Sequence, residues 1–342
     1  MKRRKFTGLT ATAGSLALLG PWAPLRGAMP KSQITTVTGP INASRLGTCL
    51  CHEHLLVDFI GATETGYHRW DRNQVIDVLK PHIERLLSDG CQTFFDCTPA
   101  YLGRDPVLLY QLSVATGLQI VTNTGYYGAV GNKYLPAHAF AETADQLSAR
   151  WIREWKGGIE DTSIKPGFIK IGIDEGPLSE IHRKLVVAAA RTHLATGLTI
   201  AAHTGTAVGA FEELDVLAEE GVRPDAFIWV HAQAEKDYSK HIKAAELGAW
   251  ISFDGVSEES IGDYTDMLRN MKESGLLHRV LISHDAGWYS PGEPGGGDFR
   301  DFSAIFRLLL PEFRQLGFST SDIDQLLVFN PQHAFTVAVR KS

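Results

Sequence analysis

Residues 49–57 read Cys-Leu-Cys-His-Glu-His-Leu-Leu-Val, an apolar run carrying two histidines two positions apart. In a strand, residues i and i+2 share a face. His52 and His54 therefore project together, and Glu53 projects away from them. A histidine pair inside one buried strand is weak evidence by itself. The same arrangement recurs down the chain, however, and the recurrence decides the fold. Lys170 lies in Phe168-Ile-Lys-Ile171, His203 ends Ile200-Ala-Ala-His203, His231 ends Phe227-Ile-Trp-Val-His231, and Asp285 ends Val280-Leu-Ile-Ser-His-Asp285.

Eight such runs are expected as strands, at 49–57, 93–98, 118–124, 168–173, 198–204, 226–232, 249–254 and 280–285. Amphipathic stretches such as Val75–Leu87, Asp105–Thr116 and Ile181–Thr196 separate them. A glycine stands between helix and next strand at Gly90, Gly117, Gly197, Gly221 and Gly248, the position of a helix C-cap. Strands without surface alternation, each followed by a helix, imply a parallel sheet covered on its faces. Eight such units predict an α/β fold of the (β/α)8 TIM-barrel type. No Gly-x-Gly-x-x-Gly follows the first strand, which disfavours an open doubly wound sheet. Residues 33–48 alternate around Gly39-Pro40 and predict a short N-terminal β-hairpin. A single domain is expected over 33–342. The glycine-rich loop 286–301 reads as long and mobile and lies on the catalytic rim.

The chain has 342 residues, 44% apolar and 21% charged, with a formal net charge of -6. That composition suits one large core, and no basic cluster points to nucleic acid. Residues 1–28 differ in kind. Lys2-Arg-Arg-Lys5 precedes an apolar, small-residue run from Leu9 to Leu19, too short to span a bilayer. The pattern predicts an export signal of the twin-arginine type, cleaved near Ala28, with a periplasmic or exported mature protein and no membrane attachment. Export permits a disulfide, but Cys49, Cys51, Cys91 and Cys97 have no zinc-knuckle spacing and are expected as buried free thiols.

Buried strand ends are costly places for these residues. A carboxylate at Asp285 needs a partner or a metal. A lysine in mid-strand at Lys170 needs a salt bridge, for instance with Asp174 or Glu175, or a covalent change. Taken singly, His203 and His231 could equally be hydrogen-bonded core histidines. Asp254 ends the seventh strand, where it could contact substrate or cap the loop. Tyr127 follows the third strand. Trp288 and Tyr289 follow Asp285 and could wall a pocket or stack on a sugar ring. His284 reads as structural, or as a partner behind the metal ligands. Asp105 reads as a helix N-cap and Arg104 as its surface neighbour or a rim cation. His68, His82, His138, His182, His193, His241, His278 and His333 fall in helices or loops as surface or core residues.

From about residue 34 to the C-terminus, the chain resembles the phosphotriesterase family of the amidohydrolase superfamily. The motifs that carry the resemblance are Gly39-Pro-Ile41, Cys51-His-Glu-His-Leu-Leu56, Leu102-Gly-Arg-Asp105, Gly167-Phe-Ile-Lys-Ile171, Ala202-His-Thr204, Val230-His231, Ser283-His-Asp285 and Asn330-Pro331. The resemblance implies two divalent metal ions. His52, His54 and Asp285 would hold the buried one, and His203 and His231 the more exposed one. Lys170, carboxylated on its amine, would bridge them. Two cations about 3.5–4 Å apart need an anion between them, which a carbamate supplies and an ammonium cannot. A hydroxide shared by both metals would attack a lactone or carboxylic ester, with Asp285 taking the proton. Phosphoester or amide hydrolysis on the same site is the neighbouring expectation, and a metal-bearing protein that binds without turnover a more distant one. Zinc suits the imidazole and carboxylate ligands; manganese, cobalt or iron could replace it.

Acyl-homoserine lactonases of this family carry an arginine after the strand-seven aspartate, and organophosphate hydrolases carry a histidine in that region. Here the run is Phe253-Asp-Gly-Val-Ser-Glu-Glu-Ser260. Acidic residues there, and polar and aromatic ones in 286–301, favour a hydroxylated or sugar-derived lactone as the small-molecule substrate. A homodimer is expected from the resemblance.

Overall fold

The computed structural model describes residues 32–342. The expected export signal at 1–28 lies outside the described residues. The chain opens with an antiparallel hairpin, β1 (Gln33–Thr36) and β2 (Gly39–Asn42), in which Ile34 faces Ile41. The hairpin is shorter than the expected 33–48. Asn42 ends it by accepting from Ser44 N–H, and a single turn at Ala43–Arg45 follows.

The strands expected from apolar runs all form: β3 (Cys49–Leu56), β4 (Thr93–Asp96), β5 (Gln119–Val121) with β6 (Asn123–Thr124), β7 (Phe168–Gly172), β8 (Ile200–His203), β9 (Phe227–Val230), β10 (Trp250–Phe253) and β11 (Val280–Ile282). The third expected strand is interrupted at Thr122. Its first half, β5, pairs with β4, and its second half, β6, pairs with β7. All neighbours are parallel, in the order β3-β4-β5/β6-β7-β8-β9-β10-β11. Asp285 N–H donates to His52 O (3.1 Å) and His54 N–H to Ala286 O (2.9 Å), which closes the ring. The fold is thus the expected TIM barrel.

Beyond Asp285 the expected mobile loop is tied down. A short strand, β12 (Gly287–Tyr289), runs parallel to β3, with Gly287 opposite His54 and Tyr289 opposite Leu56. Gly287 N–H also donates to Arg300 O and Arg300 N–H to Gly287 O.

Helices wrap the strands with standard end chemistry. Asp105 caps the helix Pro106–Thr116 by accepting from Val107 and Leu108 N–H, as expected. Gly117 and Gly197 end their helices with left-handed backbone, which spares the penalty a Cβ would incur there. Inside the barrel, one cluster takes a side chain from nearly every strand, including Ile34, Cys49, Phe95, Phe168, Ile228 and Leu281, and seals the end opposite the site. A larger cluster fills the space between strands and helices. All four cysteines are buried and free, as expected.

Candidate metal centre

Two departures from regular strand geometry aim the histidines. Cys49 and Cys51 both pack inside the barrel, so strict alternation would send His52 and His54 outward to the helices. The register against β4 shifts between Leu50 and Glu53, and beyond the shift both imidazoles line the interior pocket. A bulge that re-aims a side chain is a recurrent device beside active sites. In β9, Ile228 and Val230 face inward, so the next residue should face out. His231 instead has φ +61° and ψ +34°, and this left-handed residue turns its ring back into the barrel. Asp285 is left-handed too, at φ +53°. Such backbone costs about 1–3 kcal/mol per non-glycine residue and persists where surrounding structure enforces it.

The expected ligands converge. His54 Nε2 lies 3.0 Å and His52 Nε2 3.7 Å from Asp285 Oδ1. Ring centroids are 5.3 Å apart for His52 and His54, 5.0 Å for His52 and His231, and 4.4 Å for His203 and His231. Each imidazole is gripped at Nδ1. His52 Nδ1 meets Asp254 Oδ2 at 3.0 Å, and His231 Nδ1 meets Asp254 Oδ1 at 2.6 Å. His54 Nδ1 meets Thr98 Oγ1 at 2.8 Å, and because Thr98 donates its hydroxyl to Leu56 O, the His54 N–H must donate to it. His203 Nδ1 meets the Tyr127 hydroxyl at 3.0 Å. All four Nε2 atoms are left to face the pocket, the pattern expected of imidazoles oriented as metal ligands.

Lys170 completes the set. It is 1% exposed, and its Nζ has no hydrogen-bond partner among the described residues. The anticipated salt bridge to Asp174 or Glu175 is not made: Asp174 takes Gly131 N–H instead. A buried amine with no partner is untenable as an ammonium but fits a modified side chain or one bound to metal. Gly125 lets the β6–β7 contact close here. It has φ +121°, and a Cβ on it would stand 2.1 Å from Lys170 O.

Electrostatics favour ligation at His52 and His203. Burial pulls the His52 imidazole down to about 4. Burial and then His231 hold His203 well below its ordinary range. Both rings are neutral near pH 7, as metal ligation requires. Burial also works to lower His231, but the Asp254 carboxylate outweighs it and leaves that ring above the ordinary value. Burial would raise Asp285, yet His54 and its neighbours win and keep it an anion.

Several expected contacts are placed differently. Asp254 is fully buried behind the imidazoles, with both oxygens taken by His52, His231 and Gln233, so neither remains for a substrate. Trp288 lines the pocket, whereas Tyr289, its neighbour in β12, faces a separate cleft beside Trp70, as strand alternation dictates. Arg104 is not on the rim. It is buried, with a bidentate ion pair to Glu154 (2.7 and 2.9 Å) and a bond to Asn123 O. Glu53 points away from the ligands, as its strand position implies. It accepts from Ser283 Oγ, His284 N, His284 Nδ1 and Ala286 N, and so braces the strand that carries Asp285. His284 is accordingly structural, its Nε2 accepting from Ile305 N–H. Thr98 and the clamping role of Asp254 carry no signal in the sequence, because a buried threonine or aspartate reads alike whatever it holds.

The pocket at the ligands is small, about 120 Å³, with Val57, Phe59, Leu102, Tyr127 and Trp288 as its walls. Asp285 also lines a larger cleft, about 550 Å³, between residues 255–259 and 300–304.

The model of the phosphotriesterase family matches residues 32–335. A phosphotriesterase homology protein of Escherichia coli is 30% identical over 84% of this chain and 98% of its own length. A phospho-furanose lactonase of Mycoplasmopsis synoviae is 27% identical over 87% of this chain and 90% of its own. The solved organophosphorus hydrolase of Deinococcus radiodurans superposes with a TM-score of 0.80 at 26% identity, covering 90% of this chain and 98% of that one. With its converging imidazoles and carboxylate on a closed barrel, the chain belongs to the phosphotriesterase family of metal-dependent hydrolases.

Proposed function

We propose that the protein hydrolyses a lactone or carboxylic ester, polar or sugar-derived, at a centre for two divalent metal ions. The observation that carries the reading is the convergence of four Nδ1-anchored imidazoles and Asp285 on a buried, unpartnered Lys170 Nζ. His52, His54 and Asp285 would hold one ion and His203 and His231 the other, with a carboxylated Lys170 between them. Zinc is the ion these ligands suit best. Two such ions, when bound, make water a nucleophile near neutral pH and polarise the carbonyl under attack.

The chain's own groups supply the rest. Asp285 takes the proton of the attacking water as the tetrahedral adduct forms, then returns it to the alkoxide when the acyl C–O bond breaks. Tyr127 holds His203 in place and Trp288 walls the pocket. The adjoining cleft offers Ser257, Glu258, Arg300 and Ser303 to a hydroxylated group. The family relative named as a phospho-furanose lactonase supports a lactone as a substrate class. The segment 1–28 would deliver the folded, metal-loaded enzyme to the periplasm.

The test is metal content by elemental analysis together with turnover on a lactone panel. About two equivalents with lactone turnover is expected. Asp285→Asn should then abolish turnover while a competitive product still binds. Metal-free folded protein from a metal-replete preparation would end the reading.

A further inference from the structure

A large cavity lies away from the metal centre. It holds about 730 Å³ and shares no lining residue with the metal pocket. Its walls are aromatic: Tyr67, Trp70, Tyr101 and Tyr126. Tyr101 packs edge-on against Tyr126 with centroids 5.4 Å apart, and it adopts φ +66°, a strained backbone for a tyrosine.

The hydrogen-bonding character of this cavity is one-sided. Its two carboxylates are engaged by the protein. Glu154 takes both ends of Arg104 and the Thr124 hydroxyl, and Glu160 takes the Tyr67 hydroxyl at 2.7 Å. Arg150 is spent on Glu142. Apart from the second oxygen of Glu160, the side-chain groups left over are donors. Arg153 and Lys156, three positions apart on the helix Ala144–Gly157, join no ion pair among the described residues. Unspent cationic donors around π-faces, in a chain of net charge -6, select for a ligand that is negative at one end and flat at the other.

We infer that this cavity is a second binding site, separate from the metals, for a planar organic anion such as an aryl carboxylate, sulfonate or phosphate monoester. The ring lies among Tyr67, Trp70 and Tyr101, and the anionic group meets Arg153 and Lys156. Both basic residues are exposed, so changing them spares the fold.

The probe is 4-fluorobenzenesulfonate, followed by fluorine NMR on the metal-loaded full-length protein; a sulfonate is a poor ligand for the metals themselves. Saturable binding is expected. It should weaken at least about tenfold when Arg153→Glu and Lys156→Glu are combined. It should be unchanged by Trp288→Ala at the metal pocket, and hydrolytic turnover should be unaffected by the charge reversals. Absence of saturable binding, equal affinity in the doubly reversed variant, or loss on Trp288→Ala would each overturn the inference. None of these outcomes depends on the lactone reading of the metal centre.

Discussion

Asp254 Oδ1 lies 2.6 Å from Nδ1 of His231, and the other oxygen of the same carboxylate lies 3.0 Å from Nδ1 of His52. One fully buried anion thus fixes the tautomer of an imidazole in each half of the centre, and the two rings hold its carboxyl well below the ordinary range against the opposing effect of burial. Asp254→Asn keeps the shape but turns an NH2 toward one Nδ1. That ring must accept there, so its proton moves to Nε2 and its metal-facing lone pair is lost. We expect affinity for one ion to fall about 10–100-fold with an unchanged circular dichroism spectrum. Chelator-stripped protein titrated with zinc reads this directly, and unaltered affinity for both ions would remove Asp254 from the role.

Lys170 makes the sharper demand. Its amine is sealed in the barrel without a partner. If a bridging carbamate forms there, Lys170→Ala should bring metal content from about two equivalents to below one. Acetate or propionate at high concentration should restore both metal and turnover by filling the vacated space with a carboxylate. Full metal content in the variant without added acid would show that Lys170 is not a ligand.

The convergence of the candidate ligands was legible because the end of an apolar strand is an improbable place for a histidine, lysine or aspartate, and five such strands coincided. What aims those residues was not. The register shift before Glu53 and the left-handed turn at His231 obey no residue pattern, since neither position is a glycine. A strict two-residue period would have pointed both features outward. The Asp254 clamp was hidden for a related reason: a strand-end carboxylate facing a substrate and one facing two imidazoles have the same sequence. Residues 286–301 read as a loop in the sequence, and only the strand Gly287–Tyr289 puts Trp288 and Tyr289 on opposite faces. The basic cavity beside Tyr101 joins residues from 65 to 160, and no local stretch announces it.

Glu213, bonded to Thr204 next to His203, gives a pH prediction. Burial pushes its carboxyl from an ordinary 4.5 up to about 8. Thr204 agrees with a protonated acid, because its one hydroxyl hydrogen cannot serve both Ala202 O at 2.9 Å and Glu213 Oε2 at 2.6 Å. A group with a raised folded value binds its proton more tightly in the native state. Its stabilising contribution is complete below about pH 4.5 and is lost as pH rises through about 8. Glu213→Gln donates permanently to Thr204 Oγ1 and does not titrate. Denaturant unfolding should show the variant gaining on the parent from pH 5 to 8, on the order of a few kcal/mol in total, then holding level. A constant difference across that range would mean the carboxyl is already ionised in the fold.

Trp288 offers the last separation, between wall and donor. It stands at φ +67° in β12, its ring edge-on to Phe59 at 5.3 Å and covered on one face by the Arg300 guanidinium at 3.7 Å. Its indole N–H is buried without a partner among the described residues. An unsatisfied buried donor costs about 1–3 kcal/mol, and a substrate oxygen that accepts from it recovers that cost on binding. Trp288→Phe keeps an aromatic wall and the stack with Arg300 but deletes the donor. If the N–H serves substrate, kcat/KM should fall roughly tenfold with metal content intact. Trp288→Ala should lose that much again for small lactones while opening the 120 Å³ pocket to bulkier ones. Equal activity of the Phe variant and the parent would leave Trp288 as a wall alone, with its strained backbone set by the packing of Phe59 and Arg300 around it.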